Sequence, residues 1–405
     1  MDPKSIGKTI ASLRKKQGLT QSELAQKLNV SNKAVSKWEN GLCYPDIELF
    51  PMIASLFGVS ADYLMMKKKG IGVAGTIVID IVKSIDSYPT IGTLTNITSV
   101  SSAVGGCVSN VGIDLARMDP QLSVSGYGKI GNDENGRFIL SKLVENGVNI
   151  DGIVYSKERG TSFTDVMSIP AGERTFFHTR GANAEFCPED IDVKKLNCDI
   201  FHIGYILLMD KLDAPDSEYG TVLARLLADV QREGIMTSVD MVSQSDGNYA
   251  DKVIPALKYC NYFIVNEIEI CGIFGLSPRK ENGEIDVSCV RRAMKLAAEN
   301  GVSTKVIVHA KEISFLYDVK SGDFISMPSL KIPKEEILGS VGAGDAFCAG
   351  CLYGLYHHYT DKKILEFASA AAACNLFAAN SIDGMRSAEE ILKMPEKYGR
   401  LELTR

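Results

Sequence analysis

Long apolar runs are missing from the chain. Its first ten residues, MDPKSIGKTI, lack the apolar stretch that directs secretion. The longest small and apolar run, about residues 367–379, is interrupted by Ser369 and Asn375 and is too short to span a bilayer. The pattern G-x-x-x-x-G-K-[ST] is missing, which excludes a P-loop. There is no internal repeat and no low-complexity tract. Cysteine is not scarce, at ten, but only Cys348 and Cys351 form a C-x-x-C. One such pair cannot complete a tetrahedral zinc site, and its context is helical. The pair is therefore expected to be ordinary buried thiols, and these features together favour a reducing cytoplasm.

At 405 residues the chain has room for two or more domains, and 45% hydrophobic with 23% charged residues suits a soluble globular protein. The net charge of −6 hides a division, since residues 1–69 carry +5 and the remainder −11. Only the basic head is suited to approach a polyanion.

In the head, Ile6, Ile10 and Leu13 recur at helical spacing. LTQSELAQKLNVSNKAVSKWENG follows. Thr20 and Glu23 form a capping-box pair, so a helix should start at Thr20. NVS makes a tight turn, and Ser31 can cap the next helix. That helix places Ala34, Val35 and Trp38 on one side and Asn32, Lys33, Ser36, Lys37 and Asn40 on the other. Further helices are expected over 46–57 and 60–65. Two short helices with an amide- and lysine-rich face suit reading of a DNA major groove. The stretch, with IASLFGVSADYLM after it, resembles the Cro/repressor-type (XRE) helix-turn-helix family. The resemblance implies that Gln21 and Asn40 touch phosphates, that Asn32, Lys33 and Lys37 face bases, and that Trp38 and Glu39 are structural. It also implies a homodimer on double-stranded DNA. MMKKKG, residues 65–70, is the whole junction to the body.

From Gly70 onward strand-like and helix-like segments alternate. GIGVAGTIVID, LSVSGYG, DIFHIGY, MTSVDM, YFIVN, KVIVHA and ISFLYD read as strands, with helices such as 135–146, 222–233 and 287–300 between them. The expected class is α/β, a mainly parallel sheet covered by helices. Two Thr/Ser-rich stretches, TLTNITSVSSAVGG and TSFTDVMSIPAGERTFFHTRG, read as a small separate sheet, a β lid over about 83–104 and 155–182. GYGKIG, residues 126–131, fits G-x-G-x-x-G with Asp151 about 20 residues on, but NDENG separates it from the next helix, which argues against a dinucleotide site.

GSVGAGDAF, residues 339–347, is more informative. Gly342, Ala343 and Gly344 lead into a helix expected from about Asp345, so free N–H groups could cradle phosphate-like charge. A carboxylate at such a cradle suits a base that takes a proton from an attacking hydroxyl. A plain helix start with an acidic first turn would read the same way.

With VGGCVSNVGIDLARM, GKIGNDENG, GERTFFHTRGANAEF and NEIE, the stretch resembles the signature regions of the PfkB/ribokinase-like carbohydrate kinases over residues 70–405. The resemblance implies ATP-dependent phosphorylation of a sugar, polyol or nucleoside, with Asp345 as general base and the N–H groups of Gly342, Ala343 and Gly344 as the anion hole. It implies that Asn266 and Glu269 organise Mg²⁺, Glu269 through water. Asp80, Gly105, Gly106 and Asn110 would hold the sugar. The domains implied are 1–69 and 70–405.

Several positions depart from that family. Gly339 stands where it usually has an Asp that helps hold a monovalent cation, which puts K⁺ activation in question. His309, Ala310 and Lys311 replace the usual nucleotide-side residues. Val78 replaces an Asn, Cys107 a Lys found in ribokinase, and DMVS lacks D-x-N-x-R. His178 and Arg174 are candidates for contact with a substrate or its phosphate. The departures leave an alternative open, a transcription regulator that uses a weak or inactive kinase fold to sense a sugar.

Overall fold

The computed structural model describes residues 3–59, 61, 64, 69–170, 173–243 and 249–402. In the head, helices span Pro3–Lys16, Gln21–Lys27, Asn32–Glu39 and Leu49–Phe57. Thr20 caps the second helix in the expected reciprocal box, its Oγ1 accepting from Glu23 N at 3.2 Å and Glu23 Oε2 accepting from Thr20 N at 2.7 Å. Ser31 caps the third. Ile6, Ile10, Leu24, Val35, Trp38 and Ile53 close a small core. The fourth helix starts at Leu49, three residues later than its composition suggested, because residues 46–48 form a turn. Most of the expected helix over 60–65 and of the MMKKKG junction lies outside the described residues.

The body holds strands β1 (Ile71–Gly75), β2 (Val78–Ile85), β3 (Ile97–Gly105), β4 (Val124–Ile130), β5 (Asn149–Tyr155), β6 (Phe163–Ser168), β7 (Arg174–Thr179) and β8 (Ile200–Ile206). After a two-residue ribbon of β9 (Pro215–Asp216) and β10 (Gly220–Thr221) come β11 (Met236–Met241), β12 (Tyr262–Asn266), β13 (Lys305–His309), β14 (Ile313–Asp318) and β15 (Phe324–Pro328). Nine strands form the main sheet in the order β15-β14-β13-β12-β11-β8-β1-β4-β5, parallel except for the pairs β13-β14 and β14-β15. Parallel strands need helical crossovers, so both faces are covered. Successive residues alternate between two apolar cores: Phe263 and Val265 enter one, Ile264 the other. Helices Cys107–Met118, Ala343–Tyr356 and Asp361–Asn375 cover one face, and Val222–Arg232, Ala250–Leu257 and Val287–Glu299 the other.

GIGVAGTIVID is not one strand. Gly75 takes φ +116°, and a Cβ there would lie 1.8 Å from the Gly204 carbonyl oxygen, so the chain leaves the main sheet. Asn183 fixes the crossing, accepting from Ile77 N (3.0 Å) and donating to Ile77 O (3.1 Å). The chain then re-enters as β2 in a separate four-stranded sheet, β3-β2-β6-β7. The lid sheet thus begins at Val78 and carries Asp80, whereas β5, ending at Tyr155, belongs to the main sheet. Among the described residues no helix is long and apolar enough to cross a membrane.

Candidate functional site

The site residues gather at the C-terminal ends of the parallel strands, where an open α/β sheet places its ligands. Helix Ala343–Tyr356 starts two residues earlier than expected, because Gly342 takes φ +81° and serves as its N-cap. A Cβ on Gly342 would lie 2.5 Å from Ser381 Cβ, so this turn requires glycine. Ala343, Gly344 and Asp345 therefore form the first turn, whose N–H groups lack intrahelical partners. One is partly engaged, since Ala343 N donates to Ser340 O at 3.3 Å.

Asp345 points back over this turn. Its Oδ2 accepts from Asn110 Nδ2 at 2.9 Å, and its Oδ1 accepts from the Tyr205 hydroxyl at 2.5 Å. Burial pushes the carboxyl above its usual range, the two donors oppose that rise, and the charge of Asp80 adds to it. Asn110 is itself oriented by Ser381, whose hydroxyl donates to Asn110 Oδ1 at 2.8 Å. Asp80 is also pushed upward by burial, with Thr164 as the opposing donor. Thr164 Oγ1 lies 3.0 Å from His178 Nδ1, which connects the lid histidine to this carboxylate. Gly105 lies against Asp80: a Cβ there would be 2.7 Å from Asp80 Oδ2. Gly106, at φ +81°, starts the helix that carries Asn110. Asp80, Gly105, Gly106, Asn110, Gly342–Gly344 and Asp345 are thus brought together.

Asn266 and Glu269 stand farther along the sheet at the end of β12. Each satisfies the other in a capping box: Asn266 Oδ1 accepts from Glu269 N (2.8 Å), and Glu269 Oε2 accepts from Asn266 N (2.9 Å). Ser243 Oγ donates to Glu269 Oε1 at 2.8 Å. Burial pushes the Glu269 carboxyl up to about 7. Neighbouring Asp240 is raised as well, first by burial and then by the charges of Glu269 and Asp345. The Glu269 carboxyl and the Asn266 amide oxygen are hard oxygen donors of the kind that suits a divalent cation and its waters, and in this structure both are engaged in the cap. His309, at the end of β13, packs beneath the cradle: a Cβ on Gly344 would be 3.2 Å from its Cε1. Burial lowers its pKa to about 4, so it is neutral.

The position of Gly339 does not suit the aspartate that it replaces. A Cβ there would be 2.8 Å from the Ala378 carbonyl oxygen. GYGKIG proves structural: Gly126–Ile130 lies within β4, and the next helix is capped by Asp133, whose Oδ1 accepts from Gly136 N at 2.8 Å. Cys348 and Cys351 are buried in helix Ala343–Tyr356 and form no disulfide, and Cys348 Sγ lies 3.6 Å from His202 Nε2. Sequence reasoning missed Tyr205, Ser381, Thr164 and Ser243. Only Tyr205 carried a signal, its place at the C-terminal end of a parallel strand.

In the head, Asn32, Lys33, Lys37 and Asn40 are exposed and Ser36 is half-buried. Trp38 is buried, and Glu39 is held by Arg14 (Nε to Oε1, 2.6 Å). Gln21 Nε2 donates to Glu39 Oε2 at 2.7 Å, so its amide is oriented by that ion pair.

This architecture is the ribokinase fold. Ribokinase from Arabidopsis thaliana, solved with ribose and ATP, matches with a TM-score of 0.66 and 19% identity over 81% of this chain and 98% of that one. Ribokinase from Thermotoga maritima gives 0.65 and 19% over 81% and 99%. Residues 69–388 match the model of the pfkB family of carbohydrate kinases, and the chain belongs to that family. Residues 10–64 match a helix-turn-helix model. Among curated proteins, 5-dehydro-2-deoxygluconokinase of Listeria monocytogenes serotype 4a is 28% identical over 310 residues, 72% of this chain and 86% of that protein. The protein of the same name from Shouchella clausii is 26% identical over 310 residues, 74% and 88%.

Proposed function

We propose that the chain phosphorylates a sugar or sugar-like hydroxyl with ATP and binds double-stranded DNA through its head, the domains dividing at 69/70. The observation that carries the kinase reading is Asp345, a carboxylate held by donors on both oxygens in the first turn of a helix and facing Asp80. Asp80 and Asn110 bind and orient the acceptor, and Gly105 and Gly106 let it come close. Asp345 takes the proton of the acceptor hydroxyl as that oxygen bonds to the terminal phosphorus and ADP leaves. The N–H groups of Gly342, Ala343 and Gly344 hold the charge on the transferred group. Asn266 and Glu269 would hold Mg²⁺ through its waters, and the ion would neutralise phosphate charge. No step is assigned to K⁺, because Gly339 offers no side-chain ligand.

The test is ADP release from MgATP across a panel of sugars, polyols and nucleosides. The acceptor named in the relatives, 5-dehydro-2-deoxygluconate, comes first. Asp345→Asn is expected to lower kcat by about 10²–10⁴-fold. Turnover that survives the change refutes the mechanism. A second reading, a sugar sensor without turnover, draws on the capped state of Glu269, both of whose oxygens are already engaged. Tight binding of a sugar with no ADP released would favour it.

The head reads DNA with Asn32, Lys33, Ser36, Lys37 and Asn40, with Gln21 near a phosphate. A homodimer follows from two half-sites. The lid sheet adds a surface for a second copy, since Ile97, Val100 and Phe177 share the lid face turned away from Asp80 and are each more than half exposed (52–61%).

A further inference from the structure

We infer that Tyr205 is a positioning residue for Asp345, holding the carboxylate plane and its charge ready for the incoming hydroxyl. This rests on Asp345 as the base. The two oxygens of Asp345 each accept from a different donor, Tyr205 on Oδ1 and Asn110 on Oδ2. One donor on each oxygen fixes the rotation of the carboxylate and leaves a lone pair on each oxygen for the acceptor. The donors come from opposite sides, Asn110 from helix Cys107–Met118 and Tyr205 from the end of β8.

Tyr205 is well anchored. Just beyond it Leu207 turns at φ +84°, and Asp213 accepts from Leu207 N (3.1 Å) and Met209 N (3.0 Å), closing the turn that follows β8. Burial, followed by the charges of Asp345 and Cys107, pushes the phenol far above its usual range, so it remains an O–H donor throughout the working pH. The need for a donor is electrostatic. The acidic groups around Asp345 are Asp80 from β2, Cys107 and Asp114 from helix Cys107–Met118, Asp240 from β11 and Cys348 one turn along its own helix. His309, which packs beneath Gly344 from β13, is held neutral by burial, so none of these groups favours a negative Asp345. Its charge depends on the two donors and the helix N-terminus. Removing Tyr205 tips the carboxylate toward protonation and frees its rotation.

The experiment compares wild type, Tyr205→Phe and Asp345→Asn in the full chain, labelled with ¹³C at aspartate carboxyls. The resonance absent from Asp345→Asn reports the base directly, without any substrate. In Tyr205→Phe its midpoint is expected to rise by about one pH unit, the size of one hydrogen bond to a charged group. With MgATP and 5-dehydro-2-deoxygluconate, or another acceptor that turns over, the acid limb of the rate profile should move up equally. There kcat should fall by about tenfold and KM should change less. An unchanged midpoint overturns the inference. If the midpoint shifts but Asp345→Asn still turns over, Tyr205 holds Asp345 as inferred and the general-base reading fails instead. If Tyr205→Phe does not fold, 3-fluorotyrosine at position 205, a stronger donor, must move the midpoint down; no movement refutes the role.

Discussion

Asp80 keeps its place beside Asp345 only because position 105 carries no side chain. A methyl group there would lie 2.7 Å from Asp80 Oδ2 and would have to displace that carboxylate. Overpacking of this size costs about 1–3 kcal/mol, and here the cost falls on the carboxylate proposed to bind the sugar. Gly105→Ala is therefore expected to raise the acceptor KM by about tenfold and leave the KM for MgATP unchanged. Steady-state kinetics in both substrates checks this, and equal effects on the two would place Gly105 outside the sugar site. At this scale the sequence was partly legible. Gly105, Asp345 and the cradle stand in short contiguous runs whose residue types suit anion binding and proton removal. Tyr205 and Ser381 do not: they lie 140 and 271 residues from Asp345 and Asn110, the side chains they orient. No local pattern connects such pairs, so only the folded sheet reveals them.

Elements were legible where their signals are local. The caps at Thr20 and Ser31 were visible because a hydroxyl three residues before a free N–H is a short-range interaction. The split of GIGVAGTIVID was hidden, because the apolar run continues through the break and the cause, the approach of Gly204 and Asn183, comes from far along the chain. The helix Asn32–Glu39 gives a prediction at this scale. It buries Val35 and Trp38 and exposes Lys33 and Lys37, so the two cations are free to meet phosphate or guanine. Lys33→Ala with Lys37→Ala leaves the buried side untouched. The double variant should keep its melting temperature and bind DNA more weakly. The slope of log affinity against log salt should fall by about one unit for each of the two lysines that neutralises a phosphate. Fluorescence anisotropy over a salt series measures this, and an unchanged affinity would assign the reading face elsewhere.

For the whole molecule the division of charge is the organising fact. The head carries +5 and the remainder −11, so only the head suits the DNA proposed as its partner. The body holds the chain immediately after the head, where Asp199 Oδ2 accepts from Lys69 N (2.7 Å) and Gly70 N (3.2 Å). Gly70 enters β1, and two residues after β1 the chain starts β2, which carries Asp80. The proposed sugar site and the helix-turn-helix head are thus joined through a few residues of one backbone. If a sugar at Asp80 alters the affinity for DNA by some factor, DNA must alter the affinity for the sugar by the same factor. Couplings of this kind commonly amount to about 5–150-fold. The expected outcome is a sugar Kd, measured calorimetrically without ATP, that changes at least fivefold when an operator fragment saturates the head. The operator Kd should change by the same factor when the sugar is present. Weakening the head with Lys33→Ala and Lys37→Ala should leave the sugar Kd alone in the absence of DNA and abolish its response to DNA. A sugar Kd that is identical with and without DNA would show that the chain carries a kinase and a DNA-binding domain that work independently.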